Sequence, residues 1–381
     1  MLWGLVVATL TVGGLAMAGP NKRGRKADPD PVVAPAPTPP PPAPTLTRPL
    51  FDGPLPLDIG PAVPGLANRS AQNCRACHPI AHDGWAAGPH GRPVSPEMLA
   101  AVDQAAISAC ATCHRPLADQ HDEAPSWTRT DAPGPPNPAW DGTLRTEGVT
   151  CASCHVREGR IAVATEDVAR RTAPHPMAYA PDLTDERACA ACHQLTWPGA
   201  DVPLYDTVGE WSRSAWKAAA VGCVDCHWSG ITPHEASPSP ARAWSLIVRP
   251  ERRRIVRGDT PWTVAITLQN TGAGHAMPSG SPFRGYRLTA KVVKAGEQEA
   301  VSGLGELVTD LTRSLANDPP YATIADTRLP AGGERSWSYK VTFPTKLPAG
   351  RYDLVVALQR TLKGTAVASP VVEQRVDLLV Q

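Results

Sequence analysis

The 381-residue chain is poor in aromatic side chains, which make up 5% of it and include three phenylalanines and six tyrosines. Phe51, Phe283 and Phe343 all lie outside the stretch from residue 71 to residue 240, so that stretch has little with which to build a conventional core. An excess of charge of one sign is missing as well. A net charge of +1 provides no global field for nucleic acid or for an acidic partner. The apolar run Leu2–Met17, about 16 residues long, falls short of the roughly 20 that cross a membrane comfortably. No cysteine is left over, because all ten belong to copies of one motif. Proline, by contrast, is abundant at 43 residues.

That motif is Cys-x-x-Cys-His, and it occurs five times. The copies are Cys74–Cys77–His78, Cys110–Cys113–His114, Cys151–Cys154–His155, Cys189–Cys192–His193 and Cys223–Cys226–His227. Two thiols three positions apart can each form a thioether to one porphyrin, and the next histidine then lies under the ring as the proximal iron ligand. A zinc ribbon gives no reason for a histidine after every second cysteine. A disulfide framework would not repeat one tight spacing throughout. Five covalent haem c groups are therefore expected, with about 34 residues for each between Ala71 and Pro240. So little protein per cofactor predicts a fold class in two parts. The first is a mainly α-helical and irregular multihaem domain whose stacked porphyrins form the core. The second is an all-β, immunoglobulin-like sandwich.

Four segments follow from the order of the chain. Residues 1–18 read as a secretory signal, with Ala16-Met17-Ala18 as the cleavage site. The n-region lacks Lys and Arg, whereas Lys22, Arg23, Arg25 and Lys26 follow the apolar run, against the usual charge order. Residues 19–69 are proline-rich, including Pro39–Pro42, and read as an extended, disordered tether. Residues 70–240 carry the five motifs. Within them Ser95-Pro96-Glu97 predicts a helix start, with Leu99, Val102, Ala106, Cys110 and Cys113 on one stripe. Thr207–Glu210 predicts a capping box for a helix running towards Ala220 and ended by Gly222. Ala124–Asn137 reads as a loop. Residues 241–381 contain no cysteine and alternate with period two. Their candidate strands are Ala243–Val248, Trp262–Leu268, Tyr286–Val293, Ser336–Phe343, Tyr352–Leu358 and Val371–Leu379.

Six histidines remain once the proximal ones are removed: His82, His90, His121, His175, His234 and His275. Six candidates for five distal positions is the pattern of a mostly bis-histidine cytochrome, and closed irons favour electron transfer over substrate binding. Met177 and Met277 are the alternative ligands, and methionine would raise the potential. Arg249, Arg252, Arg253, Arg254 and Arg257 are suited either to haem propionates or to protecting a strand edge by charge.

The first motif continues as His78-Pro79-x5-Trp85-x4-His90. Together with Glu147-Gly148-Val149-Thr150, Glu210-Trp211 and the run Asn270–Gly280, it resembles the cytochrome c-554-like multihaem family. The resemblance implies that His90 is a distal ligand, followed by His275, His175 and His234; His121 and His82 compete for the remaining place, which goes to His121 because His82 falls where the family usually has a non-ligand. The Trp-x4-His spacing is not repeated after Trp211, where Trp216 stands instead.

The function expected is that of an exported, periplasmic or extracellular electron carrier. Its partners would be other cytochromes or a quinol-linked membrane complex, with no role for nucleic acid. The alternative is an oxidoreductase acting on a small nitrogen or sulfur oxyanion at an open haem, although no motif has the Cys-x-x-Cys-Lys form. A third reading makes the β-part an assembly module that lends His275 to a neighbouring subunit, in an oligomer or filament.

Overall fold

Bringing two thiols and an imidazole to one face takes a single helical turn, because positions i, i+3 and i+4 superpose along a helix. The computed structural model describes residues 41–53, 55–92, 110–124, 134–228, 234–235, 240–258, 260–367 and 369–381. In it each motif occupies such a turn. Helix α1 (Ala71–Arg75) starts the first motif, and the His78 amide closes the turn on the Cys74 carbonyl at 2.8 Å. Helix α2 (Pro79–Ala87) follows directly, with proline at its first position. Residues 110–114 are helical. Helix α3 (Cys151–His155) is the third motif, α4 (Glu166–Ala169) is a single turn, and α5 (Glu186–His193) ends in the fourth motif. Helices α6 (Thr207–Ser212) and α7 (Ala215–Ala218) precede α8 (Cys223–His227), the fifth motif. The expected helix start at Ser95, with Leu99, Val102 and Ala106, lies outside the described residues, as do residues 1–40.

Small sheets run between these helices. Strands β1 (Val156–Arg157), β2 (Arg160–Val163) and β3 (Met177–Tyr179) make one, and β4 (Gln194–Leu195) pairs with β5 (Tyr205–Asp206). Two apolar clusters pack among them. Leu55, Leu57, Ile59, Val63, Leu117, Ala152 and Val156 form one, and Leu50, Ala162 and Ala180 form the other. The expected helical, haem-stacked core is thus corrected: the helices are short, and polypeptide strands and aliphatic side chains supply the packing between them.

The tether also ends earlier than expected. From Ala43 onward the chain belongs to one compact unit reaching Gln381. The Thr47 amide and hydroxyl both donate to the Glu158 carboxylate, and the Leu50 amide donates to Asp182 at 2.7 Å. The prolines of this segment are interleaved with Leu50, Leu55, Leu57, Ile59 and Val63, enough apolar surface to hold it down.

The β-rich part starts at β6 (Trp244–Pro250), β7 (Arg254–Ile255), β8 (Trp262–Asn270) and β9 (Arg284–Lys294). It continues through β10 (Leu307–Leu311), β11 (Arg313–Leu315), β12 (Thr323–Asp326) and β13 (Glu334–Val341). It ends with β14 (Gly350–Leu362), β15 (Thr365–Ala366) and β16 (Val372–Val380). The larger sheet has the order β10-β9-β14-β16-β7 with β15 on β14, a smaller one the order β13-β8-β6, and β11 and β12 form a ribbon. All six expected stretches overlap strands. Several sheets and a half-barrel nevertheless replace the expected immunoglobulin-like sandwich. The departures are β7, which joins β16 in parallel, and the β11–β12 ribbon, where a register shift at Leu315 breaks the alternation that sequence patterning relies on. One continuous core joins the two main sheets. Trp262, which is fully buried, sits edge-on to Phe343 at 5.7 Å and donates its indole N–H to the Arg252 carbonyl.

Trp262→Ala is therefore expected to lower unfolding stability by about 3–5 kcal/mol, read as a fall in the urea midpoint. Val308→Ala, at an exposed position, should stay within about 0.5 kcal/mol of the parent.

Candidate functional site

The motif turns face inward on a single cavity of about 1890 Å³, lined by every cysteine of the motifs except Cys110 and by all five motif histidines. Drug-sized ligands occupy roughly 300–1,000 Å³, so this space is suited to several bulky groups rather than one. The motifs adjoin across it. The Cys74 side chain adjoins that of Cys151, as Cys113 adjoins Cys192 and Cys189 adjoins Cys223. The first motif therefore neighbours the third, the second neighbours the fourth, and the fourth also neighbours the fifth.

Three of the motif histidines face a second imidazole. Ring centres are 6.3 Å apart for His193 and His90, 6.0 Å for His155 and His234, and 6.3 Å for His227 and His275. Two imidazoles bound on opposite sides of one metal, at about 2 Å per bond, hold their ring centres about 6 Å apart. Each of these pairs would therefore be suited to holding one metal between two imidazoles. Their nitrogens are suitably prepared. Burial lowers the pKa of His90 and His155, and takes His193 to about 4, so the rings are neutral at pH 7 with lone pairs free. The His275 Nδ1–H donates to the Ala276 carbonyl at 2.9 Å and the His155 Nδ1–H to the Ala162 carbonyl at 3.0 Å. In both rings Nε2 is left for a metal, the usual arrangement around a ligating histidine. The donor set thus fits a covalently held iron porphyrin at each of these three places.

The distal partners are set by local backbone. His90 follows α2, and its carbonyl accepts from the Val149 amide at 2.8 Å. Gly148 must be glycine there, because a Cβ would collide with the His90 carbonyl. Glu147, just before it, is buried and accepts from the Ser70 hydroxyl and the Ala71 amide. The Glu-Gly-Val-Thr run that resembles a known family is thus a clamp joining the first motif, His90 and the third motif. His234 has a left-handed backbone, with φ of 71°. His275 lies on the loop after β8, where a Cβ on Gly274 would press within 3.1 Å of Trp211.

The other candidates are placed differently. His175 lines the cavity, and its buried Nδ1 has no hydrogen-bond partner. His82 is engaged by Gln72 at Nε2 and Asp83 at Nδ1. His121 does not line the cavity, and its Nε2 lies 2.6 Å from the Arg115 carbonyl. Among the described residues no imidazole stands opposite His114 at the ligand spacing. His114 is held to a pKa of about 4 by burial, with Arg284 and His90 adding to the effect. Met177 and Met277 both line the cavity.

Of the two readings of the arginine cluster, the strand-edge one fits its place, because β6 and β7 are edge strands. None of Arg249, Arg252, Arg253, Arg254 and Arg257 lines the cavity, whereas Arg69, Arg92, Arg171, Arg242, Arg284 and Arg360 do. Arg252 pairs with Glu251, and Arg257 donates to the Leu347 and Gln381 carbonyls. The capping box is corrected. Glu210 turns away from the start of α6 to the β-rich part, and Asp206 takes the cap position. Ala220, with φ of 57°, ends α7 in place of Gly222, and the Val221 amide returns to the Trp216 carbonyl. Sequence reading also missed Trp228, whose ring is 6.1 Å from His90 and 6.4 Å from His227. Its place directly after the fifth motif was the only available signal.

No protein-family model matches the chain, and no curated protein sequence does. Among solved structures the chain resembles a penta-heme cytochrome c552 from Thermochromatium tepidum. Identity is 17%, the likeness covers 81% of this chain and 98% of that one, and the TM-score is 0.52. That is a likeness of fold, to a multihaem cytochrome, and does not single out the cytochrome c-554 type. The chain also aligns with the CARDB domain of the PF1109 protein from Pyrococcus furiosus, at 10% identity over 36% of this chain and 87% of that one, with a TM-score of 0.22.

Gly148→Ala is expected to displace the His90 loop and cost about 1–3 kcal/mol, measured by chemical unfolding beside the parent.

Proposed function

We propose that this chain is an exported pentahaem c-type cytochrome of the broad cytochrome c-554-like type, which passes electrons through closely spaced, mostly bis-histidine haems. The observation that carries this reading is the set of three imidazole pairs 6.0–6.3 Å apart, each pairing a Cys-x-x-Cys-His histidine with one from elsewhere in the chain. When bound, each haem supplies one-electron redox chemistry at iron. The protein's part is to hold five such groups by Cys74, Cys77, Cys110, Cys113, Cys151, Cys154, Cys189, Cys192, Cys223 and Cys226, and to fix their axial nitrogens. His78, His114, His155, His193 and His227 are the proximal donors; His90, His234 and His275 are distal donors to the fourth, third and fifth motifs. His175, which lines the cavity and has a buried Nδ1 without a hydrogen-bond partner, is proposed as a further distal donor. The thiol contacts between motifs keep neighbouring groups close enough to exchange electrons. Other cytochromes or a quinol-linked membrane complex are the partners proposed, and export rests on the Leu2–Met17 segment. Among the described residues no helix is long and apolar enough to cross a membrane.

A second reading is favoured by the surroundings of His114. His121, expected as the fifth distal ligand, is turned to the Arg115 carbonyl, while Tyr205 and Arg284 line the cavity near the second motif. An iron open on that side, facing a phenol and a guanidinium, would be suited to a small nitrogen or sulfur oxyanion.

Optical redox titration with low-temperature EPR separates the two. A carrier should titrate reversibly over several steps and be unmoved by nitrite or hydroxylamine. A high-spin signal that these ligands perturb, with turnover above that of free haem, would favour the second reading. Replacing a distal ligand should move one step only: His275→Met is expected to raise one midpoint potential and leave the others in place.

A further inference from the structure

His275 belongs to the β-rich part, yet it faces His227 in α8, so something must hold the two parts of the fold in register. The loop that carries it is fastened at several points. Asn270 donates to the His275 carbonyl at 2.9 Å, which fixes the backbone from within the loop. The link to the other part is Glu210 of α6. Its Oε2 accepts from the Ser279 hydroxyl at 2.6 Å and from the Ala276 amide at 3.2 Å, the residue directly after the histidine. Its Oε1 accepts from Arg328 at 2.6 Å, and both side chains are only 9% exposed. Arg328 is itself held by Asp326 and donates to the Pro278 carbonyl at 3.3 Å. The Ser279 hydroxyl also meets Thr207 of α6 at 2.8 Å. A carboxylate that is this buried and this fully partnered is costly to disturb.

We infer that Glu210, clamped by Arg328, is a positioning residue that sets the distal imidazole of the fifth motif. It acts through the Ala276 amide and Ser279, so that the β-rich part supplies a ligand only while this bridge is intact. The inference rests on the reading of His275 as an iron ligand. A single unit of structure connects the two: α6 leads through α7 to Cys223, and the same helix grips the loop that carries the opposing imidazole. Both axial groups of one centre are thereby referred to one helix, and the spacing of 6.3 Å between their rings, with planes only 25° apart, is what such a clamp would preserve.

The test uses holoprotein matured with haem, comparing the parent with Glu210→Ala, His275→Ala and the double variant by EPR and optical spectra, with and without added imidazole. His275→Ala should convert one low-spin iron to high-spin. Glu210→Ala is expected to do the same, added imidazole should restore the low-spin signal in both, and the double variant should go no further than His275→Ala alone. A purely structural loss of stability would not be rescued by imidazole. If His275→Ala left the spectra unchanged, the ligand reading itself would fall. If His275→Ala changed them and Glu210→Ala did not, the positioning role alone would be overturned. Should Glu210→Ala fail to mature, Ser279→Ala leaves the ion pair in place and is read in the same way: a parent-like spectrum would count against the clamp.

Discussion

The pairing of a motif imidazole with one from elsewhere in the chain, their ring centres 6.0–6.3 Å apart, is the constraint around which this fold is arranged. Neutral rings do not attract one another at that distance, so the pairs are kept apart and aligned by their backbones. One member of each pair is fixed by the helical turn of a Cys-x-x-Cys-His motif. The other is delivered by a loop from elsewhere: the end of α2 for His90, residue 234 for the third motif, and the β8–β9 connection for His275. The deliveries of His90 and His275 have fastenings of their own, and these account for residues that otherwise look arbitrary. Gly148 lets the His90 carbonyl approach, and Glu147 is buried against the first motif.

On the proposed reading the cavity is filled by the cofactors, and protein packing is distributed around it in small pieces. The clusters about Leu50 and Ile59 are held by a segment rich in proline, and the short sheets β1–β3 and β4–β5 fill gaps between motif turns. The β-rich part has a large core of its own, from Trp262 and Phe343 to Leu358, and it contributes to the site through the loop after β8 and through residues of β9 and β14. This division explains why the stretch from residue 71 to residue 240 manages without phenylalanine.

Much of the site was legible because its chemistry is written locally. A thiol, a thiol and an imidazole at i, i+3 and i+4 need no tertiary information, and the period-two stretches from Trp262 to Val380 marked the long strands. What could not be read depends on contacts between distant residues. Thr207 to Glu210 has the pattern of a capping box, but Arg328, more than a hundred residues away, takes the carboxylate. Residues 43–69 have a composition that reads as an open tether, yet Glu158 and Asp182 bind its amides. The arginines from 249 to 257 cluster in sequence, but the sheet turns them away from the cavity, while Arg284 and Arg360 reach it from separate strands. His121 and His175 are alike as letters. Only the fold turns one to the Arg115 carbonyl and the other to the cavity.

The most direct test is the intact mass of the exported protein produced with haem-maturation machinery, followed by alkylation of whatever thiols remain. The account predicts the added mass of five haem groups and no alkylated cysteine. A chain of unmodified mass with ten reactive thiols would contradict it.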